Sequence, residues 1–197
     1  MSEESAGFSK SRLEAFSDGV IAVIITLMVL DLKAPEADDF EALAKVLPAF
    51  LAYLISFIFA ALYWINHHGL LIYARRVTTQ ILWANNLLLF CVSLFPFATA
   101  YMAATRAGAL ATALYGVVQL ACAISFMLLT GLIAAQHTED AGFSNKQRSL
   151  ALKNRVSTAL YVLAIPAAFV SPYLSIAIFI TIAAIYVSPR LLVSKQG

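Results

Sequence analysis

Long apolar runs separated by short polar connections dominate this chain, and they restrict it to folds that bury such runs in lipid. Hydrophobic residues make up 61% of the 197 residues and charged residues only 12%. A helix needs about 20 apolar residues to cross a hydrocarbon core roughly 30 Å thick. The last apolar stretch is too long for one crossing, and Ser171-Pro172-Tyr173 predicts a turn inside it. We therefore predict one all-α membrane domain, residues 1–197, with six spans at residues 16–32, 46–65, 81–101, 107–135, 156–171 and 173–188.

The cationic residues alternate between the two predicted sides of the membrane. On one side lie Lys10, Arg12, Arg75, Arg76, Lys146, Arg148, Lys153, Arg155, Arg190 and Lys195; on the other lie Lys33, Lys45 and Arg106. Because cytoplasmic loops carry the excess of Lys and Arg, both termini are predicted to be cytoplasmic and the chain to lie in the cell membrane. The net charge of only +2 gives no basic stripe for nucleic acid, so no nucleic-acid partner is expected.

Acidic residues gather in the connection between the first two spans, which is predicted to face outward. They are Asp31, Glu36, Asp38, Asp39 and Glu41. Such a cluster is typical of a solvated loop, and it would also concentrate cations if several copies surrounded a pore.

Metal and enzyme chemistry find little support in the sequence. Cys91 and Cys122 are isolated within apolar runs, where a thiol packs as a small hydrophobe. His67 and His68 are adjacent and point about 100° apart on a helix, so they do not easily bind one ion. His137 is expected to face solvent. No nucleophile constellation is present, so we expect neither an enzyme nor a bound metal.

The first predicted span contains Asp18, the only charged side chain clearly inside an apolar run. A carboxylate there costs about 2.5 to 3.5 kcal/mol on insertion scales unless it is partnered. Its partners are expected on neighbouring spans at a similar depth. The candidates are His67, His68, Asn85 and Asn86.

Four residues of the same span form a narrow stripe. At about 100° per residue, Gly19, Val23, Thr26 and Leu30 fall within roughly 60° of one another. Leu27 lies on the edge of this stripe, and Asp18 lies off it. The pattern is typical of an ordinary helix seam. Around a symmetry axis it would instead form apolar rings on either side of a ring of hydroxyls.

Several motifs carry a family resemblance. Arg12, Phe16, Ser17 and Asp18 resemble the RxxxFSD signature that opens the first span of the transmembrane protein 175 family of potassium-permeable channels. Trp64-Ile65-Asn66-His67-His68 is similar to the end of the family's second span. Asn85 and Asn86, with Pro96-Phe97, are similar to its third. The resemblance covers all six spans, and a single six-span unit is similar to the prokaryotic members.

The resemblance implies a homotetramer whose first spans line a central pore, without a TVGYG filter. It places Val23 at the narrowest constriction, Thr26 at a hydroxyl position that assists potassium preference, and Leu30 at an outer ring, with Leu27 beside them. Val23 stands where a longer Ile or Leu is usual.

The remaining motif residues are implied to support the pore helix. Arg12, Phe16, Ser17 and Asp18 form a scaffold. Their supporting polar network comprises Trp64, His67, His68, Asn85 and Asn86. Potassium and other monovalent cations are the implied permeant species, and no cofactor is expected.

Two other readings stay open at the level of sequence. A proton-coupled secondary transporter could use Asp18 and the His67-His68 pair near one membrane face, although inverted repeats and discontinuous spans are not evident. A membrane enzyme could use the histidines, but no nucleophile or metal ligand accompanies them.

Overall fold

The fold consists of helices joined by short connections. The computed structural model describes residues 9–137 and 141–187, with the backbone alone for residues 141–150. Within these ranges there are seven helices and no strand. They are α1 (Lys10–Leu30), α2 (Phe40–Leu71), α3 (Thr79–Ser93), α4 (Phe95–Ala104), α5 (Ala109–Ala134), α6 (Ala141–Val170) and α7 (Pro172–Val187).

Within the described part of the chain, four segments are long and apolar enough to cross a membrane. They are Lys10–Leu30, Phe40–Leu71, the continuous stretch Thr79–Ala104 and Ala109–Ala134. Pro172–Val187 is a shorter apolar helix. The all-α membrane architecture predicted from the sequence is confirmed. Three predictions fall outside the described residues, namely the end of the sixth span at residue 188, the termini with Arg190 and Lys195, and the side chains of Lys146 and Arg148.

Two helices begin at capping side chains rather than at the first apolar residue. Asp39 precedes α2, and its Oδ1 accepts a hydrogen bond of 2.7 Å from the Ala42 N–H. Thr78 precedes α3, and its Oγ1 accepts one of 3.3 Å from the Ile81 N–H. Each cap satisfies one of the free N–H groups at the start of a helix. For this reason α2 begins six residues before the apolar run that predicted it.

The third apolar run is broken into two helices. α3 ends at Ser93 and α4 begins at Phe95, with Leu94 between them. Pro96 lies in the first turn of α4, where its missing N–H costs little. The run predicted as a single span at residues 81–101 is still one continuous stretch long enough to cross, but it consists of two consecutive helices, because proline cannot continue the hydrogen-bond ladder of α3.

The core is built around α5, which packs against α3, α4, α6 and α7. Its small residues permit close approach, as expected for helices in lipid. A Cβ atom added at Gly116 would lie 3.1 Å from Cγ1 of Ile165 and 3.4 Å from the ring of Phe179. Tyr115 and Phe179, both fully buried, have ring centroids 5.3 Å apart. By contrast, α1 packs only on α2, α3 and α4 among the main helix contacts.

A chain of buried hydroxyls links three helices through the core. Thr99 Oγ1 donates to Ser56 Oγ at 2.6 Å, and Ser56 Oγ donates to the Tyr115 hydroxyl at 3.1 Å. Gln119 Nε2 also donates to that hydroxyl, at 3.0 Å. These groups have no water to bind within lipid, so pairing them holds α2, α4 and α5 in register.

The connection between α2 and α3 is tied to the end of α5. The Arg75 and Arg76 N–H groups donate to Gln136 Oε1 at 2.9 and 3.2 Å, and Gln136 Nε2 donates to the Arg76 carbonyl. His137 Nε2 lies 2.6 Å from the Tyr73 carbonyl, which can only accept, so this nitrogen donates. The prediction that His137 faces solvent is wrong, because it is half-buried against this connection.

Candidate functional site

The two sides of α1 differ completely in their surroundings. The buried residues of the helix are Leu13, Ser17, Ile21, Ile24 and Met28. By helical geometry they fall about 120° to 200° from Gly19, opposite the predicted stripe. α1 therefore packs against the rest of its own chain by one face, and the stripe lies on the other face.

The stripe predicted from the sequence is exposed in the single chain. Val23 is 56% exposed and Leu30 75%, and Thr26 and Leu27 are exposed as well. The structure brings these residues together on one face of α1, with Gly19 at its start, and none of the side chains that the structure describes covers this face. A continuous exposed face made of Val23, Leu27 and Leu30 needs lipid or another protein surface against it.

Thr26 is the one polar side chain in the stripe. Its Oγ1 donates to the Val23 carbonyl at 2.8 Å, within the same helix. The hydrogen of the hydroxyl therefore points back to the backbone, and its oxygen lone pairs are left toward the exposed side. In a ring of copies these oxygens could replace part of the hydration shell of a cation.

A buried polar triad fixes the inward face of α1. Asn85 Nδ2 donates to Ser17 Oγ at 3.0 Å, and Asn85 Oδ1 lies 2.6 Å from His67 Nε2. Because Oδ1 is an acceptor, His67 Nε2 carries the hydrogen. All three side chains are at most 1% exposed. Ser17 lies in α1, Asn85 in α3 and His67 in α2, so the amide of Asn85 joins three helices.

The residue after Ser17 makes a separate contact at the surface of the bundle. Trp64 Nε1 donates to Asp18 Oδ1 at 2.9 Å, a charge-assisted bond. The Trp64 ring stacks on His68, with centroids 6.0 Å apart and planes at 22°. The prediction that His67, His68, Asn85 or Asn86 bonds Asp18 is wrong, because the indole of Trp64 supplies the donor.

Three predicted site residues lie outside these contacts. Arg12 and Phe16 are exposed at the start of α1, and Asn86 is exposed beside the buried Asn85.

Sequence reasoning missed Lys10, whose Nζ donates to the Ile72 carbonyl at 2.8 Å and ties the start of α1 to the end of α2. A lysine before an apolar run gives no signal of this, because its acceptor is a backbone carbonyl.

Charge at the far end of α1 comes from the connection to α2. Asp31 caps the helix, and Glu36, Asp38, Asp39 and Glu41 follow, all exposed. Among the described residues the single ion pair is Lys45 with Glu41, at 3.0 Å. In the portion that the structure describes, no group of three or more His, Cys, Asp or Glu side chains could hold a metal ion.

Comparison with known proteins identifies the family. The model of the family described as endosomal/lysosomal potassium channel TMEM175 matches residues 12–96, which contain α1 from its third residue onward, the polar triad and Trp64. A potassium channel of Chryseobacterium sp. is 40% identical over 188 residues, covering 95% of this chain and 97% of that protein. The chain belongs to the TMEM175 family.

Other TMEM175 relatives match along most of the chain. A potassium channel of Chamaesiphon minutus is 32% identical over 183 residues, covering 87% of this chain and 90% of that protein. The crystal structure of a lysosomal potassium-selective channel TMEM175 homolog from Chamaesiphon minutus superposes with a TM-score of 0.77 at 29% identity, over 90% of this chain and 96% of that one. The TMEM175 chain is thus a multi-pass membrane protein of an ion-channel family.

Proposed function

We propose that this protein is a potassium-selective cation channel, a homotetramer in which α1 of each copy lines a central pore. The observation that carries the proposal is the exposed stripe of Val23, Thr26 and Leu30, opposite the face that anchors α1 to its subunit. The similarity to proteins named potassium channel supports the choice of ion. Its activity is transport rather than an enzymatic conversion.

The constriction is formed by Val23, with Leu30 as an outer apolar ring and Leu27 beside them. A narrow apolar ring excludes water, so the pore conducts only when the four α1 helices rotate or separate enough to admit a hydrated cation. Thr26 hydroxyl oxygens lie between the two rings and replace part of the ion's hydration shell. Because Val is shorter than Ile or Leu, this ring closes less tightly than one built of the longer residues.

The polar contacts of Ser17 and Asp18 position the pore helix rather than touch the ion. Ser17 is held by Asn85, and Asp18 is held by Trp64. Val23 lies only about 7.5 Å along the helix from Asp18. These two anchors therefore set the angle at which Val23 faces the axis. Arg12 and Phe16 belong to the same scaffold, where they are available to lipid or to a neighbouring copy.

In the membrane, both termini face the cytoplasm of the cell. The excess of Lys and Arg on that side supports this orientation. The acidic connection between α1 and α2 then surrounds the outer mouth, where it raises the local cation concentration. Other copies of the chain, monovalent cations and the lipid bilayer are its partners.

The proton-coupled transporter would need Asp18 and the histidines to exchange protons along one path. His67 is 1% exposed and bonded to Asn85, whereas Asp18 and His68 contact Trp64. These separate contacts favour positioning roles. Reversal potentials test the point, because a coupled carrier shifts with both the proton and the second gradient at a fixed stoichiometry, and a channel follows the potassium gradient alone.

The direct test is flux through the purified full chain in liposomes with opposed potassium and sodium gradients. We expect potassium flux with a reversal potential near that of potassium.

Val23→Asn should raise conductance and weaken selectivity, because an amide wets the constriction. Val29→Asn is the matched control, because Val29 lies on the same helix about 80° from Gly19, in the direction away from Val23. Absence of flux in several lipids and pH values contradicts the channel; equal effects of the two variants remove Val23 from the constriction.

A further inference from the structure

A groove opens between α1, α2 and α4 at the end of the bundle opposite the N-terminus. Its volume is about 440 Å³. An apolar cavity of about 150 Å³ is enough to bind benzene, so this groove has room for a segment of an acyl chain. Its walls include the small residues Ala49, Ala100 and Ala103, and Met28 and Thr99 also line it. The groove is separate from the stripe of α1, which faces the other way.

The groove extends across two layers of the membrane. Lys45 lies at its rim and Tyr53 lies deeper on the same helix, about 12 Å along the axis. The headgroup layer of a bilayer is only about 5 to 7 Å thick on each side. A molecule that fills the groove from Lys45 to Tyr53 must therefore have a polar end and an apolar end.

The rim carries both signs of charge. Asp31, Lys33 and Lys45 line it, and all three are exposed. The pair between Lys45 and Glu41 is solvent-exposed, and such pairs contribute little, so Lys45 can exchange it for a phosphate. Deeper in the groove, the half-buried Tyr53 has a hydroxyl without a hydrogen-bond partner among the described residues, which makes it available to an ester carbonyl.

We propose that this groove binds one phospholipid with a phosphatidylethanolamine-type headgroup. The ammonium group donates hydrogen bonds to the Asp31 carboxylate, the phosphate accepts from Lys33 and Lys45, and an acyl chain lies along the alanine walls. The five acidic residues of the neighbouring connection outnumber its two lysines, so the local field disfavours a lipid of net negative charge. A choline headgroup fits less well, because its quaternary nitrogen has no N–H to donate to Asp31.

The test is lipid retention by the full chain, which does not depend on ion conduction. The protein in mild detergent is mixed with phosphatidylethanolamine, phosphatidylcholine or phosphatidylglycerol of identical acyl chains, and bound lipids are counted by native mass spectrometry. We expect about one phosphatidylethanolamine per chain, retained at least several-fold better than either other lipid. Equal retention of phosphatidylethanolamine and phosphatidylcholine, or a preference for phosphatidylglycerol, overturns the proposed headgroup contacts.

Variants place the lipid in this groove. Ala49→Leu combined with Ala103→Leu fills the walls and should reduce retention at least fivefold, whereas Ala177→Leu on the exposed side of α7 should leave it unchanged. Asp31→Ala keeps the groove open, removes the acceptor and should abolish the preference for ethanolamine over choline, even if the filled variant fails to fold. Unchanged retention in the filled variant overturns the location.

Discussion

The two faces of α1 use the same kinds of residue for different purposes. The inward face carries Ser17, Ile24 and Met28, all buried, and its one hydroxyl belongs to a triad that spans three helices. The outward face carries Val23, Thr26 and Leu30, all exposed, and its one hydroxyl bonds only to its own backbone. Stability of the subunit therefore resides on one face, and the other remains available for assembly and permeation.

The difference matters because lipid does not penalise an exposed apolar side chain. In water, an exposed face of Val and Leu would itself indicate a missing partner. In a bilayer, helices associate through packing and interhelical hydrogen bonds, since lipid tails are as apolar as leucine. The informative observation in α1 is therefore which face has polar partners. Substitutions on the inward face should lower the stability of the fold, whereas substitutions on the outward face should change conduction and leave stability nearly unchanged.

The largest difference between the effects of two substitutions is expected at Met28 and Leu30, which are similar in size and lie two positions apart. Met28 is 1% exposed and Leu30 is 75% exposed. Met28→Ala should lower the free energy of unfolding by about 2 to 5 kcal/mol, because it leaves a cavity. Leu30→Ala should change it by less than about 0.5 kcal/mol and raise potassium conductance by widening the outer ring. Denaturant titration in detergent measures the first quantity, and equal losses for the two variants would contradict the division of faces.

A smaller effect is expected from the triad, where Asn85 and Asn86 form a matched pair. Asn85→Ala leaves buried groups of Ser17 and His67 without partners and should cost about 1 to 3 kcal/mol. Asn86→Ala removes an exposed amide of the same size and should be close to neutral. Thermal unfolding of both variants, monitored by circular dichroism, makes the comparison. A cost for Asn86→Ala as large as that for Asn85→Ala would mean that the buried triad does not stabilise α1.

The smallest effect on stability is expected from Thr26→Val, which keeps the shape of the side chain and removes its oxygen. The lost bond is local and exposed, so the free energy of unfolding should change by less than about 0.5 kcal/mol. Flux through the channel should continue while its preference for potassium over sodium falls. Reversal potentials under bi-ionic conditions measure this, and an unchanged preference would assign selectivity to another position.

Sequence reasoning was sufficient wherever periodicity alone decides the outcome. The stripe of Gly19, Val23, Thr26 and Leu30 follows from the angle between successive residues, and the structure places the buried residues of α1 on the opposite side. The apolar runs likewise locate the helices, although α2 starts earlier than the run because Asp39 caps it. Whether the stripe lines a pore stays a prediction, since one chain does not contain the axis.

Contacts between helices could not be predicted in the same way. The donor to Asp18 is Trp64, and the sequence offered four other polar residues at a similar depth. Choosing among them requires the relative rotation and offset of α1 and α2, which hydropathy does not contain. The contacts of Gln136 with Arg75 and Arg76 are beyond sequence reasoning for a related reason, because backbone acceptors and donors carry no residue-specific pattern.

The break at Leu94 has a consequence for how the chain enters the membrane during synthesis. α3 has 15 residues and α4 has 10, so they are about 22 and 15 Å long, and neither crosses a hydrocarbon core of roughly 30 Å. Only the continuous stretch of 26 residues, Thr79–Ala104, is long enough. The insertion machinery must therefore release both helices into lipid as one segment, and a ribosome that stalls soon after Ser93 leaves the third crossing incomplete.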